Sequence, residues 1–287
     1  MKASAFDYVR AGSVAGAIAL LVQNGEGAKL IAGGQSLLPA LNLRLSMPSL
    51  LIDIGRLPEL QGVRVESDRL WIGAGCTYAA LLADAAVIRH APLIPRALAS
   101  VAHPAIRTRG TFGGSLANAD PAAELPACAL ALDATMLVQG PRGARTVAAR
   151  NFFTGLFETA LAADEMLVAV EVPLQPAAQW GFAELSRRSG DYAMVGLAAH
   201  GAAGALRLAY FSVGTRALLA HRAAAALAEG VTASALQAAT LALATDLPEH
   251  VDLQASAAIR LHLARVLLRR VVGPWATLVA TPASIAA

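Results

Sequence analysis

The sequence predicts an α+β protein with one large domain or two modest ones, and three observations support this. Its 287 residues are enough for one sizeable core or two smaller ones. Hydrophobic residues make up 56% of the chain and charged residues 15%, which excludes a disordered chain. In the C-terminal third, predicted strands come first and helices follow as a block. That order is typical of an α+β layer and differs from the alternation of a doubly wound fold.

Charge and cysteine content exclude several functional classes. The net charge of +3 comes with no basic run, so we predict no nucleic-acid partner. Cys76 and Cys128 lie far apart, which predicts no disulfide framework, no metal site and reduced, cytoplasmic thiols. No stretch reaches the roughly 18 apolar residues of a membrane span. The low charge content suggests that part of the surface is covered by other subunits.

The N-terminal elements follow from caps, periodicity and turn residues. Ser13 is predicted to cap a helix that ends at Gly25, and we therefore do not interpret the apolar segment Ala11–Val22 as a signal peptide. A hairpin turn is predicted at Gly140–Gly143. Predicted strands are Ala28–Ile31, Leu50–Ile54, Leu70–Gly73, Thr135–Gln139, Thr146–Ala148 and Met166–Val172. Predicted helices run from the cap Thr77 to about Ala86, near Pro95–Val101 and over Asn151–Phe157.

A domain boundary is predicted at Pro173–Gln179, where prolines and glutamines interrupt the pattern. Three strands are predicted beyond it, at Gly181–Arg187, Ala193–His200 and Leu206–Val213. Helices are predicted at about Arg216–Glu229, Ala233–Ala244 and Ala255–Val271. The segment Thr281–Ala287 is predicted to be a loose tail.

The first candidate motif is Lys29–Ser36, in which a strand runs into Gly33 and Gly34. Glycine allows close approach of a ligand and positive φ, so successive N–H groups can point at a phosphate. Gln35 and Ser36 add neutral hydrogen-bonding groups. Taken alone, the pattern is more typical of an ordinary β-turn.

The second candidate motif, Arg109–Glu124, holds another Gly-Gly pair, with Thr111, Ser115, Asn118, Asp120 and Glu124 around it. Two such turns could hold the two phosphates of a dinucleotide from both sides. Carboxylates and amides suit sugar hydroxyls, from which they accept hydrogen bonds. A glycine-rich surface loop would explain Gly110, Gly113 and Gly114 but not the polar series, so we favour a binding site.

The third candidate is Tyr192, within Ser186–Met194, whose flat ring could stack on a heterocycle; by itself a core or edge-strand tyrosine is the simpler explanation. Gly73–Gly75 resembles part of a Rossmann fingerprint, but Tyr78 stands where its third glycine belongs. We interpret Ile72–Thr77 as a strand end and helix cap. No acid–base constellation or metal pattern is evident, and we predict neither catalytic residues nor a metal site.

Together the three motifs resemble the medium FAD-binding subunit of molybdenum hydroxylases, the xanthine dehydrogenase and carbon monoxide dehydrogenase group. The resemblance spans roughly the whole chain. It implies the two-subdomain FAD-binding fold of the molybdopterin dehydrogenase type, with subdomains of about 1–58 and 59–175 and a C-terminal α+β domain of 176–287. It implies non-covalent FAD contacted by Lys29, Leu30, Ile31, Ala32, Gly33, Gly34, Gln35, Ser36, Ala102, Ile106, Gly110, Thr111, Gly113, Gly114, Ser115, Asn118, Asp120, Glu124, Leu167, Val168 and Tyr192.

Roles are implied for parts of this set. The pyrophosphate lies on Ala32–Ser36 and Thr111–Ser115, with the adenine side approached from Lys29–Ile31. Glu124 or Asp120 holds sugar hydroxyls. Backbone at Leu167 or Val168 meets the isoalloxazine edge, and Tyr192 covers a ring face. Many relatives carry His in place of Gln35 and Asn in place of Ser115, changes that keep hydrogen-bonding capacity.

The resemblance also implies partners. A large molybdopterin subunit oxidises the substrate, a small subunit carries 2Fe–2S clusters, and the assembly is a dimer of heterotrimers that reduces an external acceptor. The chain itself is then the FAD subunit of a cytoplasmic oxidoreductase. Two alternatives are a stand-alone FAD oxidase or reductase of similar fold and a scaffold subunit with a vacant flavin fold.

Overall fold

The computed structural model describes residues 2–188, 190–202 and 204–278, and the predicted tail at Thr281–Ala287 lies outside this part. Within these residues the strands form three sheets and a short hairpin, and the predicted α+β class is confirmed. No helix in the described part is long and apolar enough to cross a membrane.

A small parallel sheet forms the first subdomain. Its elements are β1 (Asp7–Arg10), α1 (Val14–Asn24), β2 (Ala28–Ile31), α2 (Leu37–Asn42) and β3 (Leu50–Asp53). The strand order is β1-β3-β2. The predicted cap is confirmed, because the Ser13 hydroxyl accepts from the Gly16 N–H and Gly25 ends the helix at φ 53°. The buried face of α1 packs on Ile52.

An antiparallel sheet covered by short helices forms the second subdomain. The sheet order is β4-β5-β10-β6-β7, and β8 pairs with β9. Its strands are β4 (Val63–Glu66), β5 (Arg69–Gly73), β6 (Thr135–Gly140), β7 (Gly143–Ala148), β8 (Phe153–Gly155), β9 (Glu158–Thr159) and β10 (Met166–Pro173). Its helices are α3 (Tyr78–Ala83), α4 (Ala85–His90), α5 (Leu93–Leu98), α6 (Pro104–Arg107), α7 (Phe112–Asn118), α8 (Glu124–Ala131) and α9 (Ala149–Phe152).

The third sheet has the order β11-β12-β13-β14. Its elements are β11 (Gln179–Leu185), β12 (Val195–Gly201), β13 (Arg207–Phe211), β14 (Leu218–Leu219), α10 (His221–Ala226), α11 (Ala233–Asp246) and α12 (Ala257–Val272). Every residue of β12 is buried. Leu197 faces the core formed with α12, whereas Ala198 faces the core of the second subdomain. The sheet is therefore covered on both faces, which explains why β12 is apolar except for the buried His200.

Three helix predictions were wrong in extent. The helix predicted from Thr77 to Ala86 breaks at Asp84, because that carboxylate accepts from the Ala86 and Val87 N–H groups and starts α4. The helix predicted at Asn151–Phe157 ends at Phe152, and Phe153 begins a strand. Both phenylalanines are buried, so core packing favours the bend between them. The helix predicted from Arg216 begins only at His221, after the short strand β14.

Candidate cofactor-binding cleft

The two glycine motifs lie directly against each other. A Cβ on Gly33 would lie 2.1 Å from the Arg109 carbonyl oxygen and 3.0 Å from the Gly110 Cα. Only glycine permits that approach. The Gly33–Gly34 turn of the first motif follows the carboxyl end of β2, and Arg109–Gly110 of the second motif lie just before α7, so the contact joins the first two subdomains.

The first motif presents a row of unpaired backbone donors. Within the described part of the chain, the N–H groups of Gly33, Gly34, Gln35 and Ser36 donate to no protein acceptor. Gly34 has φ +73°, the left-handed conformation that turns successive N–H groups the same way. The Gln35 side-chain amide donates to the Gly33 carbonyl at 2.9 Å, so it holds the loop closed. Unpaired neighbouring N–H groups of this kind suit an anion.

The second motif is not the glycine turn that the sequence predicted. Gly113 and Gly114 form the first turn of α7, which is capped by the Thr111 hydroxyl accepting from the Gly114 N–H at 3.1 Å. The Gly113 N–H donates to the Ala74 carbonyl at 2.8 Å. Both glycine N–H groups are therefore used inside the protein. The Thr111 N–H donates to no protein group in the described residues, so it is a backbone donor beside Gly33 that this motif can offer.

The segment Gly73–Thr77 supports the second motif. It is a strand end followed by a helix cap, as predicted, since the Thr77 hydroxyl accepts from the Ala80 N–H at 3.2 Å. A Cβ on Gly113 would lie 2.4 Å from the Ala74 Cβ, so Gly113 serves close packing. The Phe112 N–H donates to the Cys76 carbonyl at 2.9 Å and fixes the start of α7. This supporting role is not evident from the sequence.

The polar series after α7 brings several acidic groups together. The Asp120 carboxylate accepts from the Ala122 N–H at 2.9 Å. Burial raises the pKa of Glu124 to about 8, and the nearby carboxylates of Glu184 and Asp120 add to the effect. Glu124 is therefore protonated at neutral pH and can donate as well as accept a hydrogen bond. Asn118 is the last residue of α7.

Glu184 and Tyr78 belong to the cleft and were missed by sequence analysis. Burial raises the pKa of Glu184, and its Oε2 has no hydrogen-bond partner in the described residues. Burial also raises the pKa of Tyr78 to about 12, and the Ser115 side chain interacts with its hydroxyl. A Cβ on Gly110 would lie 2.7 Å from the Tyr78 ring. A charged residue in the largely apolar strand β11 was the available signal for Glu184.

Tyr192 lies at the mouth of the cleft in the loop between β11 and β12, and the residue is 62% exposed. Loss of solvation raises its pKa, and the Asp120 carboxylate contributes. A Cβ on Gly190 would lie 3.5 Å from the Ala102 carbonyl, so this loop reaches the segment before α6. The exposed ring and the polar series thus face the same cleft.

The remaining predicted contacts have mixed surroundings. Lys29 is exposed on β2, whereas Leu30 packs against the buried residues of the first subdomain. The Ile106 carbonyl accepts from the Gly110 N–H at 2.7 Å. Leu167 and Val168 lie at a bulge in β10, where the Val168 carbonyl accepts from the Ala74 N–H at 2.9 Å. The bulge brings β10 beside the segment that supports the second motif.

The cleft fits FAD by its own chemistry. Unpaired N–H groups suit a pyrophosphate, half-buried carboxyl groups suit hydroxyls, and an exposed aromatic ring suits a flat heterocycle. The described residues contain no group of three or more side chains that could hold a metal ion.

Comparisons with known proteins agree with this chemistry. Residues 4–175 match the family described as FAD binding domain in molybdopterin dehydrogenase, and residues 180–274 match the CO dehydrogenase flavoprotein C-terminal domain. The 6-hydroxypseudooxynicotine dehydrogenase complex subunit alpha of Paenarthrobacter nicotinovorans is 46% identical over 199 residues, 69% of this chain and 67% of that relative. The xanthine dehydrogenase FAD-binding subunit of Escherichia coli O157:H7 is 33% identical over 92% of this chain and 94% of its own length.

Solved structures show the same fold over nearly the whole chain. Carbon monoxide dehydrogenase from Hydrogenophaga pseudoflava superposes with a TM-score of 0.92 at 37% identity, covering 97% of this chain and 99% of that one. Quinoline 2-oxidoreductase from Pseudomonas putida 86 gives a TM-score of 0.91 at 39% identity, covering 98% and 100%.

The fold, the chemistry of the cleft and the similarity to known proteins together define this chain as an FAD-binding subunit of an oxidoreductase. The chain belongs to the family of FAD-binding medium subunits of molybdenum hydroxylases. The predicted family, flavin cofactor and oxidoreductase role are confirmed. Relatives are named as a complex subunit, a medium chain or an FAD-binding subunit of dehydrogenases.

Proposed function

We propose that this chain passes electrons from an iron–sulfur cluster of a small partner subunit, through FAD, to an external acceptor. Substrate oxidation then belongs to a large molybdopterin subunit. The observation that carries the proposal is the contact of Gly33 with Arg109, which places the unpaired N–H groups of Gly33–Ser36 beside that of Thr111. When bound, FAD interconverts one-electron and two-electron transfer, and the protein supplies binding, orientation and access.

Each group in the cleft has a binding task. The N–H groups of Gly33–Ser36 and Thr111 donate to the pyrophosphate, and each such charge-assisted bond stabilises binding by about 1.5–3 kcal/mol. Asp120 accepts from sugar hydroxyls, while the protonated Glu124 can donate to an oxygen or ring nitrogen. Tyr192 covers a ring face and limits its contact with water. None of these residues needs to act as a catalytic acid or base.

We propose that FAD is contacted by the residues that the sequence predicted, but two parts of this set have a different role. Gly113 and Gly114 act through packing and capping rather than through their own N–H groups. Gln35 orders the loop through its bond to Gly33. The other proposed contacts are Lys29, Leu30, Ile31, Ala32, Ala102, Ile106, Gly110, Ser115, Asn118, Leu167 and Val168.

The domain division and assembly are part of the same proposal. We place the FAD-binding domain at 1–175 and the C-terminal domain at 176–287. Large side chains exposed around α2, at Leu38, Leu43, Leu45 and Met47, support contact with a partner subunit. A dimer of heterotrimers in the cytoplasm is the assembly we expect.

The test compares the lone chain with the complex formed by coexpression with its large and small partners. We expect the lone chain to bind FAD without oxidising substrate, and the complex to oxidise substrate and reduce an acceptor. Sustained substrate turnover by the lone chain would refute the subunit role and favour a stand-alone enzyme. A folded, colourless chain that cannot be reconstituted with FAD would favour a vacant scaffold.

A further inference from the structure

Arg260 carries a guanidinium buried inside the C-terminal domain. It lies on α12 and is only 4% exposed. Its Nη1 donates to the carbonyl oxygens of Met194 and Ser212, and its Nη2 lies 2.5 Å from the Asp252 carboxylate. Burial of a charge costs desolvation free energy unless the charge is paired and hydrogen-bonded. The contacts of the Arg260 guanidinium therefore determine where the surrounding backbone groups lie.

The two carbonyl groups that accept from Arg260 lead to two parts of the cofactor cleft, the Tyr192 loop and the acidic segment. Met194 follows Tyr192 by two residues, and its N–H closes the loop by donating to the Leu185 carbonyl at 2.8 Å. The Ser212 N–H donates to the Pro121 carbonyl at 2.8 Å. Pro121 directly follows Asp120. One guanidinium therefore connects the Tyr192 loop with the acidic segment of the FAD-binding domain.

A second contact holds the other end of the Tyr192 loop against the turn that precedes α12. The Arg187 Nη2 donates to the Gln254 carbonyl at 2.9 Å. The Asp252 carboxylate accepts from the N–H groups of Gln254 and Ala255 at 2.8 Å and 3.1 Å, which fixes the turn that precedes α12. The loop carrying Tyr192 is thus held at one end by the turn that Asp252 organises and at the other by Arg260, which pairs with Asp252.

Ser212 shows how closely this connection is specified. It is buried and has φ 57°, a left-handed conformation that non-glycine residues adopt only where their surroundings impose it. Its N–H and its carbonyl are the two groups that lead to Pro121 and to Arg260. A relaxed backbone at this position would break the connection at its centre.

We propose that Arg260 is a positioning residue that sets the placement of Tyr192 relative to the Asp120–Glu124 segment across the bound flavin. It touches neither the cofactor nor a reacting atom, and it acts through the carbonyls of Met194 and Ser212. The inference rests on the proposed function, because it concerns the groups placed around FAD. A purely structural arginine would stabilise the domain without any coupling to Tyr192.

A double-mutant cycle on the full chain separates these two roles. The variants are Arg260→Met, Tyr192→Ala and their combination, and the readouts are the FAD dissociation constant and the fluorescence of the bound flavin. We expect Arg260→Met to raise the flavin fluorescence toward the Tyr192→Ala value. In the Arg260→Met background, Tyr192→Ala should change the flavin fluorescence by about half or less of its effect in the wild-type background, and the dissociation constants should deviate from additivity in the same direction.

Arg265 provides the matched control. It lies on the same helix, and its Nε donates to the Thr240 carbonyl of α11 at 3.1 Å. The cycle of Arg265→Met with Tyr192→Ala should be additive. Additive behaviour of Arg260→Met with Tyr192→Ala would overturn the proposal, whereas absence of FAD from the wild-type chain would refute the proposed function itself.

A second route covers the case in which Arg260→Met does not fold. Asp252→Asn removes the charge pairing of Arg260 and leaves the guanidinium in place. A double-mutant cycle of Asp252→Asn with Tyr192→Ala should show non-additivity of the same sign as the cycle with Arg260→Met. Additivity in that cycle would equally overturn the positioning role.

Discussion

Replacing Gly33 with alanine inserts a methyl group into the contact between the two glycine motifs. The new Cβ would lie 2.1 Å from the Arg109 carbonyl oxygen and 2.8 Å from the carbonyl carbon. Both are backbone atoms that cannot rotate away. The two segments must separate by about 0.9 Å before the contact reaches the 3.0 Å that real Cβ atoms respect.

That separation is large compared with the tolerance of a hydrogen bond. A donor at 2.9 Å from a phosphate oxygen would lie near 3.8 Å after the shift, beyond the useful range of about 3.2 Å. If two charge-assisted bonds to the pyrophosphate are lost, binding weakens by about 3–6 kcal/mol, or about 10²- to 10⁴-fold in Kd. The overpacking itself lowers the free energy of unfolding by about 1–3 kcal/mol.

The assay titrates FAD into the purified apo-protein and follows flavin fluorescence, with thermal unfolding measured on the same samples. Gly12→Ala is the matched control, because no heavy atom lies within 4 Å of the Cβ that it adds. We expect wild-type affinity for Gly12→Ala and a strongly weakened, folded Gly33→Ala. A folded Gly33→Ala with the wild-type Kd would refute the reasoning.

Substitutions at three further positions test other parts of the account. Gly113→Ala adds a Cβ 2.4 Å from that of Ala74 and should lower the free energy of unfolding by about 1–3 kcal/mol in urea titrations; an unchanged value would exclude the packing role. Tyr192→Ala should change the flavin absorption spectrum more than FAD retention, whereas Tyr192→Phe should change neither much; identical spectra for all three proteins would remove Tyr192 from the site. Burial raises the pKa of Glu124 from its ordinary 4.5 to about 8, so the folded chain keeps a proton that the unfolded chain loses, and stability falls as pH rises through that range. Glu124→Gln should remove this part of the decline in urea unfolding measured from pH 5 to 8, and an unchanged slope would contradict the assignment.

Local signals predicted the elements that depend on local chemistry. The Ser13 and Thr77 caps and the turn at Gly140–Gly143 need only neighbouring residues, and the structure shows all three. The strand β1 was missed because its side chains are mostly exposed and its pairing with β3 joins residues about forty positions apart. Such pairing leaves no periodic pattern in the strand itself.

The sequence predicted the cleft where glycines mark positions at which two backbone segments approach closely. Gly33 and Gly34 were assigned correctly to a loop, whereas Gly113 and Gly114 were assigned to a turn although they begin a helix. Two glycines are poor helix formers, and here the Thr111 cap and burial beside Ala74 outweigh that preference.

Residues that reach the cleft through tertiary packing left weaker signals. Glu184 lies on a strand of the C-terminal domain, more than 50 residues beyond the acidic segment that it faces. Arg260 occurs in a helix that contains other arginines, so its sequence context is that of a solvated face. The packing of the C-terminal domain against the FAD-binding domain reveals the position of Glu184, and the packing within the C-terminal domain reveals that of Arg260.

The central claim, that this chain holds FAD between its two glycine motifs, is tested most directly by the flavin content of the purified chain. Acid precipitation followed by chromatography of the supernatant measures how much FAD is released per polypeptide. The account predicts about one FAD per wild-type and per Gly12→Ala chain, released without a covalent remainder, and almost none from folded Gly33→Ala. A folded wild-type chain that neither contains FAD nor takes it up on reconstitution would contradict the account.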